Sequence, residues 1–194
     1  MKVKQNKGMI LVGMLLCVPV VLAMFSPYLA FRPAIYIIAG FAGILTLPLL
    51  AIQPILPTRM VDLNPIRARR LHRIIGPVLI LLTLVHIGAL YLTSPTDAVD
   101  ALLLRAPTLF SVFGVIALWA LFITASLAMF RKSLPKRLWN SLHLLFNVAL
   151  SLSIVVHALQ IEGAMEPVSK WIICSAILAT LCASMIWTVR KILS

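Results

Sequence analysis

The chain has 194 residues, of which 62% are hydrophobic and 11% are charged, with a net charge of +12. A soluble globular protein is about 45–50% apolar and about 25% charged, so this composition excludes an ordinary soluble domain, a disordered chain and a small disulfide-rich domain. At about 20 apolar residues per membrane-spanning helix, the length accommodates six spans with short connections. We therefore expect residues 1–194 to form one membrane domain.

Six apolar stretches are each long enough to cross a hydrocarbon core of about 30 Å. Lysines precede the first stretch as in a signal peptide, but its apolar run exceeds the about 7–15 residues of such a peptide, so we expect a retained helix. Pro48 and Pro54 should kink the last turns of the second stretch. The predicted spans are residues 8–31, 34–56, 72–93, 109–130, 138–161 and 171–189. The sequence thus predicts an all-α integral membrane protein, a bundle of six transmembrane helices.

The basic residues are distributed unevenly between the two sides of this bundle. Three of the 17 fall on one side, beside most of the acidic residues, and fourteen on the other. By the positive-inside rule the richer side is cytoplasmic, as are both termini. Anionic lipid headgroups are then the expected partners of the excess charge, and nucleic acid is not required. The fourteen are Lys2, Lys4, Lys7, Arg59, Arg67, Arg69, Arg70, Arg73, Arg131, Lys132, Lys136, Arg137, Arg190 and Lys191.

The three cysteines, Cys17, Cys174 and Cys182, lie inside apolar stretches and form no C-x-x-C pair. This pattern indicates neither a zinc site nor a disulfide framework. We expect three buried thiols.

The four histidines occur in two equally spaced pairs. His72 and His86 fall in the third predicted span, and His143 and His157 fall in the fifth, with 14 residues separating the members of each pair. Fourteen residues are close to four helical turns, so each pair shares one helix face and rises about 21 Å. Since the third and fifth spans run in the same direction, His72 is predicted to lie level with His143, and His86 with His157.

Two opposed imidazoles can occupy both axial positions of a haem iron. The spacing therefore predicts two b-type haems, an inner one between His72 and His143 and an outer one between His86 and His157. A lone intramembrane histidine is often only a helix contact, but four at matched spacing are costly unless they are used. Neither carboxylates nor thiols accompany the imidazoles at either level, which disfavours a zinc or non-haem iron site and a proton relay.

Arginines flank the predicted inner haem site. Arg69 and Arg73 lie beside His72 in the sequence, and their guanidinium groups could pair with haem propionates. The positive-inside distribution explains the same arginines without haem. Both interpretations stay open at this point.

Four short motifs carry a resemblance to a known family. R-R-L-H-R-I-I-G opens the third span and L-V-H lies towards its end, while L-W-N-S-L-H and V-V-H lie in the fifth span. They resemble the ferric reductase-like transmembrane domain, whose members include ferric reductases, NADPH oxidases and the haem-binding membrane subunit of the bacterial periplasmic methionine-sulfoxide reductase system. The resemblance covers most of the chain and is strongest from Arg67 to Gln160. It implies electron transfer across the membrane through two haems.

The electron donor and acceptor are expected to lie on other molecules. The chain ends five residues after the last predicted span, so we do not expect the flavin and nicotinamide domains of the larger family members. The donor would be a cytoplasmic flavoprotein carrying FAD or FMN, or a membrane quinol. The acceptor would be a ferric chelate or a periplasmic reductase at the outer face of a bacterial inner membrane.

Two alternative functions remain open. The first is the haem-binding membrane subunit of a periplasmic methionine-sulfoxide reductase system. The second, of another class, is a small multi-pass transporter or assembly factor with structural histidines, which would be colourless when purified. The absence of acidic residues within the spans disfavours a secondary transporter.

Overall fold

The computed structural model describes residues 13–14, 17–58, 60–61 and 63–193, and this part of the chain is helical without β-strands. Short 3₁₀ turns, Pro27–Leu29 and Leu56–Thr58, lie between helices. The helices are α1 (residues 17–24), α2 (Ala34–Ile52), α3 (Pro65–Thr93), α4 (Pro95–Leu102), α5 (Leu109–Met129), α6 (Lys136–Gln160) and α7 (Pro167–Leu193).

Five of the described helices are long and apolar enough to cross a membrane. They correspond to the second to sixth predicted spans, so the prediction of a multi-pass, all-helical membrane protein is confirmed at this level. The first predicted span, residues 8–31, lies partly outside the described residues. That residues 8–31 form a further span, for a total of six, and that both termini are cytoplasmic stay predictions. The five are Ala34–Thr58, Pro65–Thr93, Leu109–Met129, Lys136–Gln160 and Pro167–Arg190.

Helix α3 begins seven residues before the predicted span. Asn64 precedes the helix and its side-chain oxygen accepts a hydrogen bond from the backbone of Ile66 at 2.9 Å, while Pro65 occupies the first helical position. Both features favour a helix start. The arginine-rich segment before His72 has low hydropathy, so the apolar pattern predicts that the span starts at His72. Arg69 and Arg73 therefore lie on the first turns of α3 and not in a loop.

Helix α2 contains Pro48 among its buried residues and ends at Ile52. Its end precedes Pro54, whose ring and missing N–H do not suit a helix interior. The carbonyl of Gln53 is therefore beyond the last helical residue of α2. This carbonyl becomes part of the site described below.

Two antiparallel hairpins, α2–α3 and α5–α6, make the most extensive packing, and α7 packs against both α2 and α6. Within the described part of the chain, α3 and α6 are not among the helix pairs that pack closely. The core cluster includes Leu50, Ile75, Leu121, Leu150 and Ile173. The histidine-bearing helices thus belong to different hairpins.

Large apolar side chains cover the outside of the bundle, as expected of a surface that faces lipid. Phe25, Trp119 and Met129 are among the most exposed. The same property explains one wrong expectation: Cys174 is buried, but Cys17 and Cys182 are exposed. An apolar stretch does not distinguish a lipid-facing position from a core position, because lipid is as apolar as the core.

Candidate functional site: two histidine pairs

The first pair, His72 and His143, lies at the end of the bundle where α3 and α6 begin, which we call the basic end. The two ring centroids are 6.5 Å apart and the ring planes are inclined by 65°. Metal–imidazole bonds are about 2 Å long and a centroid lies about 1 Å beyond its nitrogen, so two imidazoles across one metal ion have centroids about 6 Å apart. The separation fits a shared metal ion, and an edge-to-face ring contact spans a similar distance.

The second pair, His86 and His157, lies further along α3 and α6, at what we call the far end. Nδ1 of His86 donates a hydrogen bond to the carbonyl oxygen of Ala39 in α2 at 2.7 Å. Nδ1 of His157 donates to the carbonyl oxygen of Phe110 in α5, also at 2.7 Å. A carbonyl oxygen can only accept, so Nδ1 carries the proton in both rings. In the neutral rings Nε2 is then unprotonated, which is the state needed to bind a metal.

Each of these close approaches depends on a glycine one turn after the accepting carbonyl. A Cβ atom built on Gly43 would lie 3.0 Å from Nδ1 of His86, and one built on Gly114 would lie 2.9 Å from Nδ1 of His157. Any other residue at these positions would push the imidazole away from its acceptor. The two glycines are not among the site residues predicted from the sequence.

A repeat in the chain relates the two hairpins. Gly43 and Gly114 are 71 residues apart, and the same offset relates His72 to His143 and His86 to His157. The accepting carbonyls of Ala39 and Phe110 share this offset and precede their histidines by 47 residues in both hairpins. The sequence signal that could have revealed the glycines is this recurrence of Gly and His at one long offset.

The fourth histidine breaks the repeat. His72 donates from Nδ1 to the carbonyl of Gln53 at 3.1 Å, but Nδ1 of His143 is buried without a hydrogen-bond partner. The residue equivalent to Gln53 is Thr124, which lies inside α5 and is followed one turn later by Ala128, not by glycine. Its carbonyl therefore lacks both features that open the other carbonyls to a ring: a helix end or a following glycine.

Buried polar atoms without partners mark the basic end. Within the described residues, the three such side-chain atoms are Oε1 of Gln53, Oγ1 of Thr124 and Nδ1 of His143. Gln53 is bonded to His72 by its backbone oxygen and by Nε2, which donates to the His72 carbonyl at 3.0 Å. Unpartnered buried polar atoms are uncommon in folded proteins. Two of the three belong to His143 and to Gln53, the partner of His72, which is consistent with a bound group at this pair.

The ring of His143 is held by stacking. It lies 4.8 Å from the ring of Trp139, with only 16° between the two planes. Asn147, one turn further along α6, donates to the carbonyl of His143 at 2.6 Å. Stacking on the indole of Trp139 therefore positions a ring whose Nδ1 has no hydrogen-bond acceptor.

Arg69 and Arg73 lie on α3, three residues before and one residue after His72, at the basic end. Both side chains are exposed, and Nε of Arg73 donates to the carbonyl of Arg69 at 3.4 Å. Their proposed pairing with haem propionates stays a prediction.

The comparison with protein families gives one match. A family model described as the ferric reductase like transmembrane component matches residues 38–154, more than half of the chain. The matched residues include His72, His86, His143 and both glycines, and His157 follows three residues later. Searches of the curated proteins and of the solved structures gave no significant match. The resemblance seen in the sequence is confirmed, and the chain belongs to the ferric reductase-like transmembrane family.

Proposed function

We propose that this protein is a membrane b-type cytochrome that passes electrons across the bilayer through two haems, each held between two histidines. The observation that carries the proposal is the opposed pair His72 and His143, which meet from two helices at a separation that fits one iron. Membership of a transmembrane family linked to electron transfer supports it. The far-end pair supplies two further imidazoles on the same helices.

The residues present fit such a group. A bound haem supplies an iron that changes its charge by one electron without making or breaking a bond. The protein fixes the ligands: the Nδ1 hydrogen bonds of His72, His86 and His157 set the tautomer, orient the ring and raise the basicity of Nε2. The apolar helix faces around the rings keep water away and maintain a low local dielectric constant.

The charge distribution gives the proposed direction. In the proposed arrangement, six spans cross a bacterial inner membrane. By the positive-inside rule, the basic end and both termini face the cytoplasm. Electrons would arrive at the His72–His143 pair from a cytoplasmic flavoprotein or a membrane quinol and leave from the His86–His157 pair. A ferric chelate or a periplasmic reductase would receive them. Arg69 and Arg73 would bind the propionates of the haem at the basic end.

The test is the haem content of the purified protein. We expect two b-type haems per chain by the pyridine haemochrome assay, and a low-spin spectrum. His86→Ala and His157→Ala should each lose one haem and retain the other. Thr83→Val is a matched control on α3, because the Thr83 hydroxyl bonds to the Leu79 carbonyl of its own helix at 2.8 Å, and it should retain both. A colourless wild-type protein would refute the proposal and favour the transporter alternative.

A further inference from the structure

A row of three stacked side chains leads from the surface of the basic end to the histidine pair. Arg131, exposed between α5 and α6, places its guanidinium carbon 4.9 Å from the ring centroid of Trp139. Trp139 stacks on His143 at 4.8 Å, and His143 faces His72. A cation over an aromatic face is attracted by the ring. The row therefore connects an exposed positive charge to a predicted haem ligand.

The indole of Trp139 is turned towards the end of α5. Its Nε1 donates to the carbonyl of Leu127, near the end of α5, at 2.9 Å. A tryptophan that serves only as an interfacial anchor usually turns this polar group towards the headgroup region. Here the indole is held by α5, by Arg131 and by His143 together, so its position is defined on several sides.

The other hairpin lacks this row. At the 71-residue offset, the positions equivalent to Trp139 and Arg131 are Ala68 and Met60, neither of which has an aromatic or charged side chain. The arginines at the start of α3 are as numerous as the cations of the α5–α6 connection, so charge alone does not separate the two surfaces. The stacked row of Arg131, Trp139 and His143 distinguishes the surface at the α5–α6 connection from the surface at the start of α3.

The surface around Arg131 is positively charged. Lys132, Lys136 and Arg137 are exposed beside it. Complementary charge steers the encounter of two proteins and sets their register. A partner that docks here would carry acidic groups around its own redox centre.

We infer that the α5–α6 connection, centred on Arg131 and Trp139, is the docking surface for an acidic soluble flavoprotein that delivers electrons to the His72–His143 site. The inference rests on the proposed function and selects a protein donor over a quinol. In the step, the reduced flavoprotein would give up one electron, and a ferric haem iron held by His72 and His143 would accept it. No bond is made or broken at the iron, and any proton released by the flavin passes to water.

The experiment uses the full chain in nanodiscs of zwitterionic phosphatidylcholine, so that anionic lipid does not cover the arginines. The probe is flavodoxin, a small acidic flavoprotein, in its reduced form for stopped-flow reduction and in its oxidised form for binding. Dithionite, a small inorganic reductant, reports whether the haems are intact. Arg131→Gln is compared with Arg67→Gln, which removes an equal charge from the exposed start of α3. Trp139→Leu is compared with Trp139→Phe, which retains a ring.

We expect Arg131→Gln to slow reduction by flavodoxin about fivefold at low ionic strength, and Arg67→Gln to change it much less. Trp139→Leu should slow it about tenfold by displacing the ring beside His143, with Trp139→Phe closer to wild type. Both losses should be absent with dithionite. Equal effects of the two arginine variants, or an unchanged rate in Trp139→Leu, would overturn the inference while the haem content still upheld the proposed function. The purified protein could instead contain no haem and still bind oxidised flavodoxin in a salt-sensitive manner that requires Arg131. That result would uphold the docking surface and refute the haem sites.

Discussion

The two glycines beside the far-end pair allow a sharp test of how the imidazoles are positioned. In Gly114→Ala the added carbon would lie 2.9 Å from Nδ1 and 3.0 Å from Cε1 of His157. Van der Waals contact between carbon atoms is most favourable at about 3.5–4.0 Å. The ring must therefore move by about 0.5–1 Å, and its 2.7 Å hydrogen bond to Phe110 would lengthen beyond the usual range. Gly43→Ala should act in the same way on His86.

The expected loss of stability follows from two unfavourable effects and one favourable effect. Overpacking a core typically costs about 1–3 kcal/mol, and a buried donor left without its acceptor adds a penalty of about 1–3 kcal/mol. Against this, alanine is favoured over glycine in a helix by about 1 kcal/mol. Gly40→Ala is the matched control on α2, because a Cβ there meets nothing within 4 Å. It keeps the propensity gain without the clash, so this gain cancels in the comparison and the variants should differ by about 2–6 kcal/mol.

Thermal unfolding of the purified variants measures this difference, and the haem content and midpoint potentials measure its effect on the far end. We expect Gly114→Ala and Gly43→Ala to shift or lose the far-end haem and to leave the basic-end haem unchanged. If Gly43→Ala were as stable as Gly40→Ala, with both haems at unshifted potentials, the positioning role of the glycines would be refuted. If the purified protein carried no haem, a lower melting temperature of Gly43→Ala than of Gly40→Ala would still show the steric clash.

Two further predictions concern the basic end and the start of α7. Because Nδ1 of His143 has no partner, its bond to iron should be the most readily displaced, and the reduced protein should bind at most one carbon monoxide per chain; a spectroscopic titration that saturates at two would contradict this. At α7, a hydrogen bond from the Ser169 side chain, with backbone N–H donors, lowers the pKa of Glu166 from its ordinary value of 4.5. The folded state thus favours the charged form of Glu166. The carboxylate therefore stabilises the folded protein above the unfolded pKa, and this stabilisation is lost as the pH falls through the folded pKa. The difference in melting temperature between wild type and Glu166→Ala should shrink on acidification, and a constant difference would argue against this linkage.

The helices, and the placement of two histidines on one face of α3 and of α6, could be predicted from the sequence because both depend on local periodicity. Hydropathy identifies an apolar stretch, and the 14-residue spacing puts two histidines on one face whatever the neighbours are. The missed start of α3 was readable from Asn64 and Pro65, whose capping pattern is independent of hydropathy.

The remaining features depend on contacts between helices. A glycine acquires its role only when the ring of His86 or His157 approaches it from another helix, and a single helix does not predict that approach. The missing partner of His143 likewise arises because α2 ends before the Gln53 carbonyl, whereas α5 continues past Thr124. The lipid-facing positions of Cys17 and Cys182 also require the packed bundle.

The shared offset of the two hairpins has a consequence for the symmetry of the bundle. Two hairpins that run in the same direction are related by rotation about an axis along the membrane normal, as in transporters built from parallel repeats. Each pair of imidazoles then straddles that pseudo-twofold axis, with one ring contributed by each half. The arrangement is thus the one that a symmetric homodimer of hairpins would have, built within one chain. The two halves of this chain differ at Trp139 and Arg131, whose equivalents are Ala68 and Met60, so the pseudosymmetric bundle has two distinct sides at its basic end.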